Sequence, residues 1–181
     1  MATFARALCF ITIFISFGSH SKMLNFLKPY AYKICPEVHG VIKKMGEPYP
    51  NQIVTLDVEY GETYLTYDAI TDDNGKFEFS EVVIHRWYRP FVLNNNIVAI
   101  RIFTLFNDVD KQLWGSYIGT LEPKGFIVNN LIDLVCDLDN HKHAYGFKNE
   151  KPEGAPYWVY GICDLKGYQE KYNQGKDDYI E

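Results

Sequence analysis

Residues Thr71–Phe79, with the sequence TDDNGKFEF, place several oxygen-bearing side chains next to one another. Such a cluster could bind a metal ion, act as a catalytic acid pair or form a turn. A calcium loop needs oxygen ligands at alternate positions and a glutamate at the twelfth. Counted from Asp68 the third position is Ile70, and counted from Asp72 the fifth is Lys76. Neither start supplies a ligand set, so no metal is predicted here.

The same stretch has the composition of a tight turn. Gly75 adopts positive φ without a steric penalty, and Asn74 tolerates the left-handed region better than most residues. The Asp72 carboxylate can accept a hydrogen bond from the backbone two residues further on. Phe77 and Phe79 then share one face of the following strand. We therefore predict a β-hairpin bend whose two phenylalanines enter the core.

Histidines provide the other metal-ligand pattern in the chain. His141 and His143 would point to one face if they lay on a strand, which suits zinc or copper, but no third ligand is nearby. An exposed loop is the favoured interpretation. His39, inside the first predicted strand, is expected to be a packed or edge histidine. The sequence thus predicts no metal and no cofactor.

The run HRWYRPF combines aromatic and basic side chains. Interface hot spots are enriched in Trp, Tyr and Arg, so this run is a candidate partner-binding patch. The alternative is a packed loop between strands with solvated charges. The candidate residues are His85, Arg86, Trp87, Tyr88 and Arg89.

Catalytic and nucleic-acid signatures are missing from the sequence. There is no Gly-x-Ser-x-Gly nucleophile elbow and no phosphate-binding glycine loop. The net charge of −5 argues against a nucleic-acid partner, because such proteins carry a basic face. We expect a protein that is not an enzyme.

The N-terminus predicts export. Residues 1–21 carry one early positive charge, Arg6, and then an apolar run that is too short to span a bilayer. They are interpreted as a signal peptide, followed by a linker over residues 22–36. The expected location is periplasmic or secreted, without stable membrane insertion after processing. The alternative is that Met23 is the true start and the protein is cytoplasmic.

Cysteine pairing depends on that location. After cleavage Cys35, Cys136 and Cys163 remain. In an oxidising compartment Cys136 and Cys163 are the preferred disulfide, since each lies late in an apolar run typical of a strand. The alternative is that all three are buried free thiols.

Short strands separated by turn signals fill residues 37–165, which predicts one all-β domain with the organisation of an antiparallel β-sandwich. The run Phe126–Leu138 could be a strand or a helix, and a strand is favoured. Residues 139–156 are expected to form a loop, and residues 166–181 a frayed polar tail. The clearest alternation of buried and exposed positions is at Val54, Leu56, Val58 and Tyr60.

The string VHGVIKKMGEPYPNQIVTLDV followed by TDDNGKFEFSEV resembles the transthyretin-like, or carboxypeptidase-regulatory-like, domain. The resemblance covers about residues 37–120 and implies an Ig-like or prealbumin-like β-sandwich with a C-terminal strand extension. One relative of that fold is a hydroxyisourate hydrolase, whose terminal Tyr-Arg-Gly-Ser motif is absent here, so its activity is not implied.

The C-terminal half, with LVCDLDN and YGIC, resembles a small group of uncharacterised bacterial proteins, which are exported or encoded beside secretion and toxin systems. The resemblance implies an immunity or inhibitor protein that binds a toxin or effector. The alternative function is an envelope structural or carbohydrate-binding accessory domain. Sugar stacking would require a tryptophan exposed on a flat face: Trp87, Trp114 or Trp158.

Overall fold

A computed structural model describes residues 29–87 and 97–174. The predicted signal peptide, residues 1–21, lies outside the described residues. So do Tyr88 and Arg89 of the candidate patch and the end of the predicted tail, residues 175–181.

Strands dominate the described part of the chain, and its only helix is short. This confirms the all-β, sandwich-like fold class. The elements in chain order are β1 (Tyr30–Cys35), β2 (Val38–Lys44), β3 (Glu47–Pro48), β4 (Ile53–Tyr60), β5 (Thr63–Ile70), β6 (Lys76–Phe79), β7 (Val82–Arg86), β8 (Val98–Phe106), β9 (Val109–Ile118), α1 (Gly125–Leu131), β10 (Leu134–Asp137), β11 (His143–Phe147), β12 (Tyr157–Gly161), β13 (Cys163–Asp164) and β14 (Glu170–Asn173).

The largest sheet has seven strands in the order β14-β11-β12-β9-β8-β4-β5. Every neighbouring pair in it is antiparallel. Val54, Leu56 and Val58 alternate with more polar positions along β4 and are completely buried, which confirms the predicted period of two. One face of this sheet therefore covers the core and the other faces solvent.

A five-stranded sheet and the β1–β7 pair complete the fold. The five-stranded sheet follows the order β13-β10-β2-β3, with β6 also paired to β2. Its β10–β2 pair is parallel, while the others are antiparallel. Phe77 and Phe79 enter the core from β6 with 4% and 7% of their surface exposed, as predicted.

The hairpin joining β8 and β9 follows from its turn residues. Asn107 and Asp108 have φ values of 51° and 59°. Two consecutive residues with positive φ form the turn whose twist matches two antiparallel strands. The turn joins β8 directly to β9, which begins at Val109, and the two strands pair antiparallel.

The predicted linker, residues 22–36, is wrong over Tyr30–Cys35. These residues form β1, which pairs antiparallel with β7. Ile34 and Cys35 are fully buried in the core at the end of this strand. Burial of these two side chains holds the segment against the domain.

The favoured strand over Phe126–Leu138 is also wrong in its first half, where α1 forms. Ile127, Asn130 and Leu131 are buried at helical spacing. The Asn130 amide donates to the Phe126 and Lys166 carbonyl oxygens at 2.8 and 3.1 Å, and its Oδ1 accepts from the Lys166 amide at 2.8 Å. The bonds with Lys166 tie α1 to the segment that follows β13, and β10 follows the helix.

Two segments expected to be irregular form strands of the large sheet. Residues 139–156 contain β11, and the predicted tail contains β14. β11 lies between β12 and β14, and β14 pairs with it on the outer side. The backbone of these residues is thus satisfied by sheet hydrogen bonds rather than by water.

The disulfide prediction is confirmed. Cys136 and Cys163 are opposite each other in the β10–β13 pair and are bonded, while Cys35 is a buried free thiol. No helix within the described ranges has the length and apolar character needed to cross a membrane.

Candidate functional site

The solvent face of the seven-stranded sheet carries an unexpected row of aliphatic side chains. Ile53 on β4 lies directly opposite Ile70 on β5. Leu105 on β8 is the next position across, since Thr104 pairs with Val54 and its hydroxyl donates to the Ile53 carbonyl oxygen at 2.5 Å. We call Ile53, Ile70 and Leu105 the aliphatic row. Their exposed fractions are 54%, 66% and 61%.

A polar network lies beside the aliphatic row on the same face. Thr55 donates to Asp68 at 2.7 Å. The Asp57 carboxylate accepts from the Tyr64 hydroxyl at 2.6 Å and from Thr66 at 2.8 Å. The bond to Asp57 is the main reason that the pKa of Tyr64 is raised. These bonds fix the side chains across β4 and β5, so the face is ordered next to the row.

Arg101 continues this network onto β8. It forms an ion pair with Asp110, and its guanidinium lies 4.1 Å from the centre of the Phe103 ring. Both the charge and the planar surface of the arginine are therefore used within the sheet. The side-chain amide of Gln52 donates to the Leu105 and Ile53 carbonyl oxygens at 2.9 and 3.3 Å, so it bonds the backbone of the row and leaves the aliphatic side chains exposed.

An aromatic cluster occupies the opposite side of the same face. Tyr117 is 70% exposed and Tyr172 is 55% exposed, with the half-buried Trp158 between them. The ring centres of Trp158 and Tyr172 are 5.7 Å apart. We call Tyr117, Trp158 and Tyr172 the aromatic platform. Of the three tryptophans considered from the sequence, Trp114 is fully buried and cannot stack on a ligand.

The predicted turn at Thr71–Phe79 is confirmed in its bonding but not as a hairpin. The Asp72 carboxylate accepts from the amides of Asn74 and Lys76, both at 2.8 Å, and the Lys76 bond is the main reason that its pKa is lowered. Gly75 has a φ of 72°, whereas Asn74 is not among the described residues with positive φ.

The turn connects two different sheets. β5 before it pairs with β4, and β6 after it pairs with β2. The hairpin prediction is therefore wrong, because the two strands flanking the turn do not bond to each other. The segment carries the chain from the seven-stranded to the five-stranded sheet, and Asp72 Oδ1 accepts both of the hydrogen bonds that hold it.

The candidate patch around β7 is only partly described. His85 is exposed and Trp87 is 70% exposed. Arg86 is half-buried: it donates to the Thr63 hydroxyl at 3.1 Å and lies over the Tyr60 ring at 5.5 Å. His85 and Trp87 are thus exposed to solvent, whereas Arg86 contacts side chains of the seven-stranded sheet. Whether this patch binds a partner stays a prediction.

The histidines occupy separate environments. His39 lies between Glu37 and Glu78, at 3.7 and 3.9 Å, and is half-buried on β2, an interior strand of its sheet, so it is not an edge histidine. His141 precedes β11 and is exposed, whereas His143 begins β11, so the two do not share a strand. Burial, and then the nearby Lys171, lower the pKa of His143. Residues 29–87 and 97–174 contain no group of three metal-ligating side chains.

A comparison with known protein families assigns the chain to one of them. The family model described as a domain of unknown function, DUF6795, matches residues 38–141, which is more than half of the chain. This protein belongs to the DUF6795 family. No curated protein matches it, and no solved structure does.

The DUF6795 match extends from β2 to just beyond β10. It contains the whole aliphatic row, but of the aromatic platform only Tyr117. The family description gives no function. The resemblance to transthyretin-like domains and to toxin-associated bacterial proteins stays a prediction.

Sequence reasoning missed the aliphatic row of this DUF6795 protein, although one signal was available. The alternation along β4 that buries Val54 assigns Ile53 to the solvent face, where an isoleucine is unexpected in a half-exposed strand. The neighbouring positions of Ile70 and Leu105 depend on strand register, which the sequence alone does not give.

Proposed function

We propose that this DUF6795 protein is a non-catalytic, exported β-sandwich that binds another protein through the aliphatic row. Its most specific form is an immunity or inhibitor protein that neutralises a secreted bacterial toxin. The observation that carries the proposal is the exposure of Ile53, Ile70 and Leu105 in adjacent register positions.

Exposure of the aliphatic row to water is energetically unfavourable for a protein that has no binding partner. Single exposed apolar residues are ordinary, whereas contiguous ones mark interaction surfaces. Burying the exposed part of a large aliphatic side chain contributes on the order of 1 kcal/mol at about 25 cal/mol per Å². Three neighbours that are desolvated together supply the apolar centre of a protein interface.

The space beside Ile70 extends this surface. A groove of about 590 Å³ is lined by Ile70, by Phe77 and Lys76 of β6, and by Ile132 after α1. Ile132 is itself 55% exposed. A partner that binds the aliphatic row can therefore insert side chains into the groove beside Ile70. Such insertion favours a folded partner with protruding side chains over a partner with a flat surface.

Charge favours a basic partner. The chain has 23 acidic and 18 basic residues, and Asp68 lies on the outer face two residues from Ile70. Acidic groups around an apolar centre accelerate association with a basic surface. The Cys136–Cys163 disulfide supports export, because such bonds persist outside the reducing cytoplasm.

Co-expression with each secreted protein encoded beside the gene tests the proposal. The wild type should form an equimolar complex with one of them and relieve its toxicity. The double variant Ile53→Lys/Leu105→Lys should lose both properties, because it places two charges on the row and repels a basic partner.

Val128→Lys is the matched control, since Val128 is 40% exposed on α1, outside the row. It should bind and protect like the wild type. Failure of every neighbouring secreted protein to bind the wild type would contradict the proposed function. Protection by the double variant would contradict the role of the row.

A further inference from the structure

The geometry points to a second binding site on this protein: the aromatic platform takes a short, uncharged oligosaccharide. The site goes beyond the proposed protein partner and uses different residues. The platform is built from Tyr117 on β9, Trp158 on β12 and Tyr172 on β14, with Gly146 of β11 beneath it.

The strand register aligns these residues across the sheet. Val159 pairs with Ser116, so the adjacent outward positions, Trp158 and Tyr117, face each other. Trp158 is also opposite Gly146, which in turn is opposite Glu170. Three strand spacings separate β9 from β14, so the platform extends roughly 14 Å at about 4.8 Å per spacing.

Gly146 allows the indole of Trp158 to lie against the sheet. A Cβ at Gly146 would come within 3.2 and 3.3 Å of two ring carbons of Trp158, closer than ordinary packing. The indole therefore leans across the glycine towards the Tyr172 ring. A side chain held in this way presents a flat aromatic surface instead of a protruding edge.

A flat aromatic surface suits a sugar ring. The π-face carries partial negative charge, and the C–H bonds on the apolar face of a pyranose carry partial positive charge, so the two stack favourably. Polar groups at the margin then bind hydroxyls. Glu170, which accepts from the Tyr172 hydroxyl at 3.2 Å, provides such a margin.

The charges select an uncharged sugar. Glu59 lies on the outer face of β4 opposite Ala99 of β8, which in turn lies opposite Tyr117 at one end of the platform. Glu170 borders the other end of the platform. Lys171, the nearest cation along β14, lies 5.1 Å from the Tyr145 ring, whose side chain is buried on the core side. Carboxylates at both ends accept hydroxyl hydrogen bonds and repel an anionic glycan.

Calorimetric titration of the purified protein tests the site. The probes are hexasaccharides of β-1,4-glucose and β-1,4-N-acetylglucosamine, with an oligogalacturonate as the anionic comparison. We expect one neutral hexasaccharide to bind and the oligogalacturonate not to bind. Trp158→Ala should weaken binding at least tenfold.

Two further variants separate stacking from loss of structure. Gly146→Ala removes no aromatic ring but displaces the indole, and should weaken binding several-fold without altering the circular dichroism spectrum. Trp87→Ala removes an exposed tryptophan outside the platform and should bind like the wild type. The Ile53→Lys/Leu105→Lys variant should also retain sugar binding.

Three results would overturn the inference. The first is no heat of binding with either neutral hexasaccharide. The second is unchanged affinity in Trp158→Ala. The third is that a protein partner covers the aromatic platform while no sugar binds it, which would assign Trp158 to a protein interface instead.

Discussion

Ile42 and Gly75 are joined by a close backbone contact. The Ile42 amide donates to the Gly75 carbonyl oxygen at 2.8 Å, and the Ile42 carbonyl oxygen fills the space where a Gly75 side chain would be. The amide nitrogen of Tyr49 lies 3.0 Å from that same position. Gly75 is thus required for its positive φ and for the approach of β2.

Comparison of Gly75→Ala with Gly61→Ala separates these two requirements. Gly61 also has positive φ, but no atom lies within 4 Å of its potential Cβ. Gly61→Ala should cost about 1 kcal/mol from the left-handed backbone alone. Gly75→Ala should cost about 3 kcal/mol or more, since β2 must also move.

Urea denaturation measures both free energies of unfolding. Asp73→Ala is an additional control, because Asp73 is exposed in the same turn, and it should change stability by less than about 0.5 kcal/mol. Equal costs at Gly61 and Gly75 would show that the contact with Ile42 is unimportant. Loss of a metal-dependent property in Asp73→Ala would contradict the structural role of the turn.

The Asp72 carboxylate should make stability depend on acidity. Its pKa is lowered in the fold, chiefly by the Lys76 amide and also by the Asn74 amide. The stabilisation is therefore complete above the ordinary value of 3.8 and is lost as the pH falls through the lower, folded-state pKa.

Asp72→Asn tests this dependence, since the amide oxygen can still accept hydrogen bonds but does not titrate. Unfolding should be followed between pH 2 and pH 7. We expect the stabilities of the variant and the wild type to converge below about pH 4. A constant difference over the whole range would exclude a contribution from ionised Asp72.

The Cys136–Cys163 disulfide should contribute to stability through the unfolded chain. The sequence separation is 27 residues. Closing a loop of that length stabilises the fold by about 3–4 kcal/mol in the chain-entropy account. The double variant Cys136→Ser/Cys163→Ser should lose about this much in denaturation, and reduction of the wild type should match it. Identical midpoints with and without reductant would contradict the prediction.

The Cys35 thiol should be unreactive in the folded protein. Burial raises its pKa to about 12, so almost no thiolate exists at neutral pH, and its surface is inaccessible. Thiol titration should detect Cys35 only after denaturation. Rapid labelling under native conditions would show that β1 separates from the domain.

Local patterns predict much of this fold because they act over a few residues. The alternation around Val54, the glycine at position 75 and the apolar runs ending at Cys136 and Cys163 each depend on near neighbours, and each prediction is confirmed. Sequence periodicity also suffices for the core positions of Phe77 and Phe79.

Other features depend on distant partners. Helix α1 forms where the sequence favours a strand, and its Asn130 bonds with Lys166, far along the chain. Strand β14 forms from polar residues because β11 offers an edge. The aliphatic row requires the register of three strands, so no local pattern brings Ile53, Ile70 and Leu105 together.

The affinity of the aliphatic row for its protein partner tests the central claim most directly. The dissociation constants of the wild type and of Ile53→Lys/Leu105→Lys should be measured against the same purified toxin candidate, with unfolding free energies as the check on folding. We predict at least about 100-fold weaker binding, or roughly 2.7 kcal/mol, with little change in stability. An unchanged dissociation constant in the double variant would contradict the account.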